Sequence, residues 1–196
     1  MKLNNLRDEA FKIACDHGFH DTELSNEHYL MLVITELSEA VEADRKDRHA
    51  DIPKFKEWQG NSIPLSEETR IERFKEDFEA YVKDSVEDEL ADATIRLLDL
   101  AGLREIDVEI LDDTWSEIIK NLKPDAKSQY SFTELIFHIC EPLIDKCRCD
   151  DIEDVILTSI TLIKVACHIY DIDLEWHIKT KMKYNSMREN KHGKKY

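Results

Sequence analysis

Glycine and proline are scarce in this chain, which has four of each among its 196 residues. Both residues interrupt regular structure and mark turns, so their scarcity argues against a fold built from many short strands and tight turns. Apolar residues instead recur at helical spacing almost throughout the chain. The sequence therefore predicts an all-α protein, folded as a helical bundle.

Positive charge is also scarce, because 27 lysine and arginine residues face 43 aspartate and glutamate residues and the net charge is −16. Such a chain repels nucleic-acid polymers, and no basic patch is dense enough to override the repulsion. Free nucleotides remain compatible ligands, since a bound metal ion would neutralise their phosphates locally. The one concentration of basic residues lies near the C-terminus, at Lys179, Lys181, Lys183, Arg188, Lys191, Lys194 and Lys195.

Long apolar runs are missing, and residues 1–4 lack the apolar segment of a signal peptide. The five cysteines are an odd number, which favours reduced thiols over a disulfide framework. We therefore expect a cytoplasmic protein with no membrane partner. Zinc is not expected, because Cys147 and Cys149 are spaced too tightly for a structural zinc site and a second clear pair is missing.

The apolar periodicity predicts helices over residues 3–17, 26–48, 66–82, 86–104, 108–121, 131–147, 152–170 and 174–189. Ser85 is the predicted N-cap of the helix that starts at residue 86. Residues 52–64 contain two prolines and a glycine, so we predict a loop there. The segment Lys123–Asp125 is the predicted joint between two halves of the chain.

Two acidic motifs stand on separate predicted helices, Glu36-Leu37-Ser38-Glu39 on the first and Glu89-Leu90-Ala91-Asp92 on the second. In each motif the two carboxylates are one helical turn apart and share a helix face. Four carboxylates from two packed helices would converge on one hard divalent cation, Mg²⁺ or alternatively Mn²⁺. The alternative is that these acids pair with lysine or arginine or face water.

The order of these motifs resembles the signature of the MazG-like, all-α nucleoside triphosphate pyrophosphohydrolases. Their context is similar too, since Asp88–Ala93 runs into a leucine-rich helix that is followed by Ile106–Glu109. The ending Asn185-x-x-Arg188, followed by His192–Lys195, is also similar to tails of this family. The resemblance covers most of the chain and is weakest over residues 48–82 and 110–150.

The resemblance implies an Mg²⁺-dependent hydrolase that converts a nucleoside triphosphate and water to a nucleoside monophosphate and pyrophosphate. It assigns the catalytic and metal-binding roles to Glu36, Glu39, Glu89 and Asp92. The expected substrate-binding residues are Arg96, Lys183, Asn185, Arg188 and Lys194. It also implies a homo-oligomer, expected as a dimer, and a base contact from Phe19 or His20.

Several of these assignments have alternatives. Arg96 would otherwise form a salt bridge with Asp92 or Asp99, and the basic tail would otherwise be a solubilising extension. Phe19 would otherwise be a buried turn residue. For the whole chain, the alternatives to an enzyme are a non-catalytic nucleotide-binding regulator and a helical interaction protein.

An internal repeat is suggested by residues 97–109, which align with residues 163–175 at a constant offset. This alignment predicts a helical unit over 1–123 that carries the metal site and a related unit over 124–196 that lacks the acidic motifs. The alternative is a chance similarity of two amphipathic helices. Within the first unit, residues 49–82 lengthen the spacing between the two motifs, as an insertion that either covers the site or buttresses the bundle.

Overall fold

A computed structural model describes residues 2–59, 66–122, 129–145 and 151–189, without the side chains of residues 58 and 59. Within these ranges the chain forms helices and no strand, which confirms the predicted all-α fold. The helices are α1 Leu3–Asp16, α2 Asn26–Arg45, α3 Ile52–Gln59, α4 Glu67–Tyr81, α5 Val86–Leu103, α6 Ile110–Asn121, α7 Phe132–Asp145, α8 Ile152–Ile169 and α9 Leu174–Ser186. The predicted joint at Lys123–Asp125, the cysteines 147 and 149, and Lys194 lie outside the described residues.

Helix α5 is the centre of the main hydrophobic core. It is apolar around most of its circumference, which is the pattern of a helix buried on all sides. It packs against α1 and α2, against α9, and against α8, while α7 lies against α2 and α8. Ser85 caps its first turn by accepting a hydrogen bond from the Asp88 N–H at 3.2 Å, as predicted.

Four helices end in the same way, with one residue in the left-handed region and the next N–H bonded to a carbonyl five residues back. The left-handed residues are Gly18, Asp47, Glu105 and Asp171. The endings at Glu105 and Asp171 occupy matching positions of the predicted internal repeat. Because α1 and α2 end in this way too, the shared ending does not distinguish a repeat from chance similarity, and the tandem units remain a prediction.

The loop prediction for residues 52–64 is wrong over its first part, because residues 52–59 form α3. Asp51 starts this helix, since its Oδ1 accepts a hydrogen bond from the Lys54 N–H at 3.1 Å. Pro53 falls in the first turn, where an N–H has no acceptor within the helix and its absence is tolerated. Phe55 is buried and holds the helix against the rings of Phe74 and Trp176.

A second, aromatic cluster joins α3 and α4 to α9. Its buried members are Phe55, Phe74, Phe78, Val82 and Tyr184. The Phe78 and Tyr184 rings stack with centroids 4.4 Å apart, and the Tyr184 hydroxyl donates to Glu79 Oε1 at 2.6 Å. The described part of the predicted insertion thus buttresses α9.

Helices α1 and α5 approach each other closely at Gly102. A Cβ atom at this position would lie 2.6 Å from the Cβ of Phe11, so no larger residue fits without a shift of α1. In the described residues, no single helix is long and apolar enough to cross a membrane. The pair α8 and α9, bent by 114°, passes this test on length and composition only.

Candidate metal centre and adjoining cavity

Three of the four predicted metal ligands come together where α2 packs against α5. Glu36 of α2 and Glu89 and Asp92 of α5 offer carboxylate oxygens that all lie within 4.8 Å of one another. Glu36 and Glu89 are 5% and 4% exposed, so this acidic group is shielded from water. Carboxylates this close and this buried repel one another, and they require a cation or a proton.

Glu39, the fourth predicted ligand, is exposed and lies outside this group. It is one turn beyond Glu36 on α2, and its charge helps to raise the pKa of Glu36 above the ordinary value, together with the larger effect of burial. The Glu39 side chain is therefore close enough to influence the group electrostatically while it remains on the solvent side.

Arg96 pairs with Glu36 and not with either of the acids expected from sequence. Its Nε and Nη2 atoms both lie 2.5 Å from Glu36 Oε1. Burial raises the pKa of Glu36, and the nearby guanidinium opposes that rise. Arg96 thus neutralises one carboxylate of the group in the structure and also lines the cavity described below.

Lys181 of α9 is a cation of the site that the sequence reasoning did not single out. Its Nζ lies 2.7 Å from Asp88 Oδ2 and 2.8 Å from Asp92 Oδ2, and the residue is 5% exposed. Burial lowers the pKa of Lys181, but the charges of Asp92 and Asp88 outweigh it, so the pKa lies above the ordinary value. The signal that would have found it is helical spacing, since Lys181 and Asn185 are four residues apart and share one face of α9.

Glu89 is the carboxyl of the group that has no hydrogen bond or ion pair within the described part of the chain. Burial, followed by the charge of Asp92, raises its pKa to about 9. A buried carboxyl of this kind has the donor atoms that a hard divalent cation prefers, and such an ion would supply the missing partner. Glu36, Glu89 and Asp92 therefore fit an Mg²⁺ or Mn²⁺ ion.

Asp88 belongs to a second acidic group with Asp84 and Glu89, whose oxygens likewise lie within 4.8 Å. The Asp84 N–H donates to Asp88 Oδ2 at 3.0 Å, on the oxygen that also meets Lys181. Burial raises the pKa of Asp88 to about 6, although Lys181 opposes the rise. The two groups share Glu89 and form one continuous acidic patch across the first turns of α5.

A cavity of about 100 Å³, open to solvent on one side, adjoins the acidic group between α1, α2, α5 and α9. One wall is apolar and contains Ile13, Phe19, Leu24, Leu32 and Ile95. The polar part of the lining contains His28, Tyr29, Asp92, Arg96, Asp99, Asn185 and Arg188. Asp92 belongs to both features, so the cavity opens directly onto the candidate metal centre.

The predicted substrate-binding residues divide between the cavity and the surface. Asn185 and Arg188 line the cavity, and within the described residues the buried Oδ1 of Asn185 has no hydrogen-bond partner. Lys183 is exposed and holds its Nζ 4.1 Å above the Phe74 ring, on the aromatic cluster. Phe19 lines the cavity, as the base-contact prediction requires, although no base contact is tested by this placement.

A hydrogen-bonded chain of side chains lies at the end of the cavity away from the acidic group. His20 Nε2 is 2.7 Å from Asp99 Oδ1, and His20 Nδ1 is 3.3 Å from the Tyr29 hydroxyl. Burial raises the pKa of Asp99, and the bond from His20 opposes the rise. Sequence reasoning missed Asp99 and Tyr29 as cavity residues, because their partner His20 lies in the turn after α1.

Comparisons with models of protein families, with curated proteins and with solved structures find no match. The functional argument therefore rests on the chemistry of the acidic group and of the cavity beside it.

Proposed function

We propose that the protein is an Mg²⁺-dependent nucleoside triphosphate pyrophosphohydrolase, which forms a nucleoside monophosphate and pyrophosphate. The observation that carries this proposal is the buried group of Glu36, Glu89 and Asp92, which opens through Asp92 into a cavity with an apolar wall. A triphosphate needs a cation beside its oxygens, and a nucleoside needs an apolar slot with a few polar groups. The two requirements meet at Asp92.

Glu36, Glu89 and Asp92 would hold the ion, with Glu39 as the fourth ligand that the resemblance implies. The bound ion, Mg²⁺ or alternatively Mn²⁺, supplies charge neutralisation of the triphosphate oxygens. The reaction adds water to the α-phosphorus and breaks its bond to the oxygen that bridges to the β-phosphorus. Pyrophosphate is the leaving group, and a carboxylate of the acidic group accepts the proton of the attacking water, directly or through a second water.

The cations of the site bind and orient the substrate in this proposal. Lys181 fixes Asp92 between two helices, since its Nζ joins Asp88 and Asp92. Arg96 and Arg188 line the cavity near Asp92 and carry the positive charge that phosphate oxygens need. Asn185 offers to a sugar hydroxyl the amide oxygen that has no hydrogen-bond partner among the described residues.

The second candidate is a nucleotide-binding regulator that binds metal without turnover. The observation that favours it is the exposure of Glu39, because only three of the four implied ligands converge. A helical interaction protein with solvated acids is disfavoured, since Glu36 and Glu89 are buried.

The test is pyrophosphate release from a panel of canonical, deoxy and modified nucleoside triphosphates, with and without Mg²⁺. Wild type is compared with Asp92→Asn and Glu39→Gln, and with Asp113→Asn as a matched control on exposed α6. We expect Mg²⁺-dependent release that is lost in Asp92→Asn and retained in Asp113→Asn. Folded wild type that releases no pyrophosphate, but is stabilised against heat by Mg²⁺ and nucleotide, would overturn the enzyme in favour of the regulator.

A further inference from the structure

The end of the cavity remote from the acidic group is built from Tyr29, His20 and Asp99. Tyr29 and Asp99 line the cavity, and His20 joins them through the two hydrogen bonds described above. All three are shielded, since Tyr29 is 8% exposed and the side chains of His20 and Asp99 are 10% and 16% exposed. Each side chain is thus held in place by a hydrogen bond to the next. Side chains fixed in this way can recognise the hydrogen-bonding edge of a ligand.

The chain of hydrogen bonds determines which atoms remain for a ligand. A carboxylate only accepts, so His20 Nε2 carries the hydrogen of the bond to Asp99. In the neutral ring Nδ1 is then an acceptor, and the Tyr29 hydroxyl donates to it. With the ring in this neutral form the hydroxyl hydrogen is used in this bond, and the atoms left to the cavity are the second oxygen of Asp99 and the oxygen of Tyr29.

His28 and Arg188 also line the cavity, so the acceptors described here are those of the Tyr29, His20 and Asp99 side chains alone. The guanidinium of Arg96 is turned toward Glu36, at the acidic end. The buried Oδ1 of Asn185 is a further acceptor in the lining. Asp99 and Tyr29 therefore present acceptors at the remote end of the cavity, and they match a ligand edge that presents N–H donors.

The distance to the acidic group fits a nucleotide. Asp92 and Asp99 are seven residues apart on α5, which places them on one face and about 10.5 Å apart along the helix axis. That separation is close to the reach of a nucleoside monophosphate from its phosphate to the far edge of its base. A phosphate beside Asp92 would thus bring the base edge to Asp99.

We infer that Asp99 is the specificity-determining residue of the cavity and selects bases that carry an exocyclic amino group. This inference rests on the proposed function and names its substrate class, the triphosphates of cytosine, adenine and guanine. Uracil and thymine present a carbonyl oxygen where cytosine presents its amino group, and hypoxanthine does so where adenine presents its own. Relative to guanine, hypoxanthine carries only a hydrogen at the position of the amino group. A carbonyl oxygen facing the Asp99 carboxylate would leave two acceptors opposed and both without a donor.

The experiment compares kcat/KM for two substrate pairs: CTP against UTP, in which a carbonyl replaces the amino group, and GTP against ITP, in which a hydrogen replaces it. Wild type is expected to prefer the amino-bearing member of each pair by about 10-fold or more. In Asp99→Asn the amide offers a donor as well as an acceptor, and the ratio is expected to fall to about one. Asp113→Asn is the matched control and keeps the wild-type ratio.

Tyr29→Phe is the second variant, because it keeps the Asp99 carboxylate and removes only the hydroxyl that fixes the His20 ring. We expect a ratio between those of wild type and Asp99→Asn. Wild type that hydrolyses UTP as well as CTP, or Asp99→Asn that keeps the wild-type ratio, would overturn the inference and leave the hydrolase standing.

A binding measurement separates failure of the inference from failure of the proposed function. The probes are the α,β-imido analogues of CTP and UTP with Mg²⁺, and the readout is the rise in Tm. If no triphosphate is hydrolysed, but the CTP analogue stabilises wild type more than the UTP analogue and Asp99→Asn removes the difference, the enzyme is excluded and the recognition by Asp99 is supported. Equal stabilisation by both analogues overturns the recognition.

Discussion

The carboxyl group of Glu89 links the stability of the protein to pH. Its pKa in the folded protein is about 9, above the ordinary value of 4.5, because it is buried beside other acids. A group whose pKa rises on folding holds its proton more tightly in the folded state. Its contribution to stability is therefore fully present below about pH 4.5 and is lost progressively as the pH rises toward 9.

Replacement of Glu89 by glutamine is expected to stabilise the metal-free protein at neutral pH. The neutral amide needs no proton, so the free energy of unfolding should rise by up to about 3 kcal/mol at pH 7 and by less than about 1 kcal/mol at pH 5. Urea unfolding at the two pH values measures the difference. Glu39→Gln, on the exposed side of α2, is the control. Equal gains at pH 5 and pH 7 would contradict the assigned pKa.

Replacing Lys181 should have the opposite effect to replacing Glu89. Lys181 is the buried cation between Asp88, which is buried, and Asp92, which is half-buried. Lys181→Met is expected to destabilise the metal-free protein by about 3–5 kcal/mol, because Asp88 and Asp92 would lose their partner. Lys183→Met removes an exposed lysine two residues away and should change stability by less than about 1 kcal/mol. Denaturant titration of both variants is the measurement. Similar small effects would show that the acids do not depend on Lys181.

Part of this site could be predicted from the sequence because part of it is local. Glu89 and Asp92 share a helix face by spacing alone, and Glu36 is predicted as a ligand by the first motif. Glu39 is rotated about 60° from Glu36 around α2, so the boundary between core and solvent passes between the two. That boundary depends on how α5 packs, and the pairing of Lys181 with Asp88 depends on a contact 93 residues distant.

At the scale of elements, the residues that end the helices lower the stability of the protein, because most of them are not glycine. Glu105 ends α5 with φ 57°, a conformation that glycine adopts freely and that other L-residues adopt at a cost of about 1 kcal/mol or more. Only one of the four shared endings, at Gly18, uses glycine. The scarcity of glycine in the composition thus leaves acidic residues in strained positions.

Glu105→Gly is therefore expected to stabilise the protein by about 1 kcal/mol, because the strain at this position is relieved. Glu105→Ala is the control, since it removes the same side chain and keeps the strained backbone. The Tm of both variants should be compared at one pH. A gain in the alanine variant as large as in the glycine variant would assign the effect to the lost charge.

A helix of this fold could be predicted from sequence where it buries one apolar face, because the apolar residues of that face recur at helical spacing. The apolar period predicts each of the long helices, from α1 at Leu3–Asp16 to α9 at Leu174–Ser186. It does not predict α3, which has only eight residues and is too short to be stable by itself. Phe55 stabilises α3 through contacts with α4 and α9, and no pattern within residues 52–59 encodes those contacts.

At the scale of the whole molecule, His177 sets a limit on acid stability. It lies on α9, which joins the main core to the aromatic cluster, and it is 1% exposed. Within the described residues neither ring nitrogen has a hydrogen-bond partner. Burial lowers its pKa to about 4 from 6.5, so the unfolded chain takes up the proton first. Stability is therefore lost as the pH falls from about 6.5 through 4.

The effects of His177 and Glu89 have opposite signs, and they overlap between about pH 4.5 and 6.5. The metal-free protein should thus show a plateau of stability in this range and a decline toward pH 9. His177→Phe is expected to remove the His177 contribution, about 3 kcal/mol at most, so that the stability of this variant keeps rising as the pH falls from 6.5 to 4.5, while His168→Phe on the exposed side of α8 should keep the plateau. Free energies of unfolding at half-unit pH intervals measure the profile. A plateau that persists between pH 4.5 and 6.5 in His177→Phe would contradict the role of this residue.

The predicted homodimer remains a prediction at this scale. Large apolar side chains are exposed on α7, where Phe137 is 64% and Ile144 54% exposed. A sedimentation mass of about twice 23.0 kDa would support the dimer. A mass of about 23.0 kDa at micromolar concentration would contradict it.

The close approach at Gly102 has a consequence for how this cavity could diversify. Phe11, which meets Gly102, lies on α1 beside Ala10, Ile13 and Ala14, and these three line the cavity. A methyl group at position 102 would wedge the two helices apart and carry that wall outward. The width of the cavity therefore depends on the residue at position 102. Gly102 does not line the cavity, and replacing it would leave every acid of the candidate metal centre unchanged.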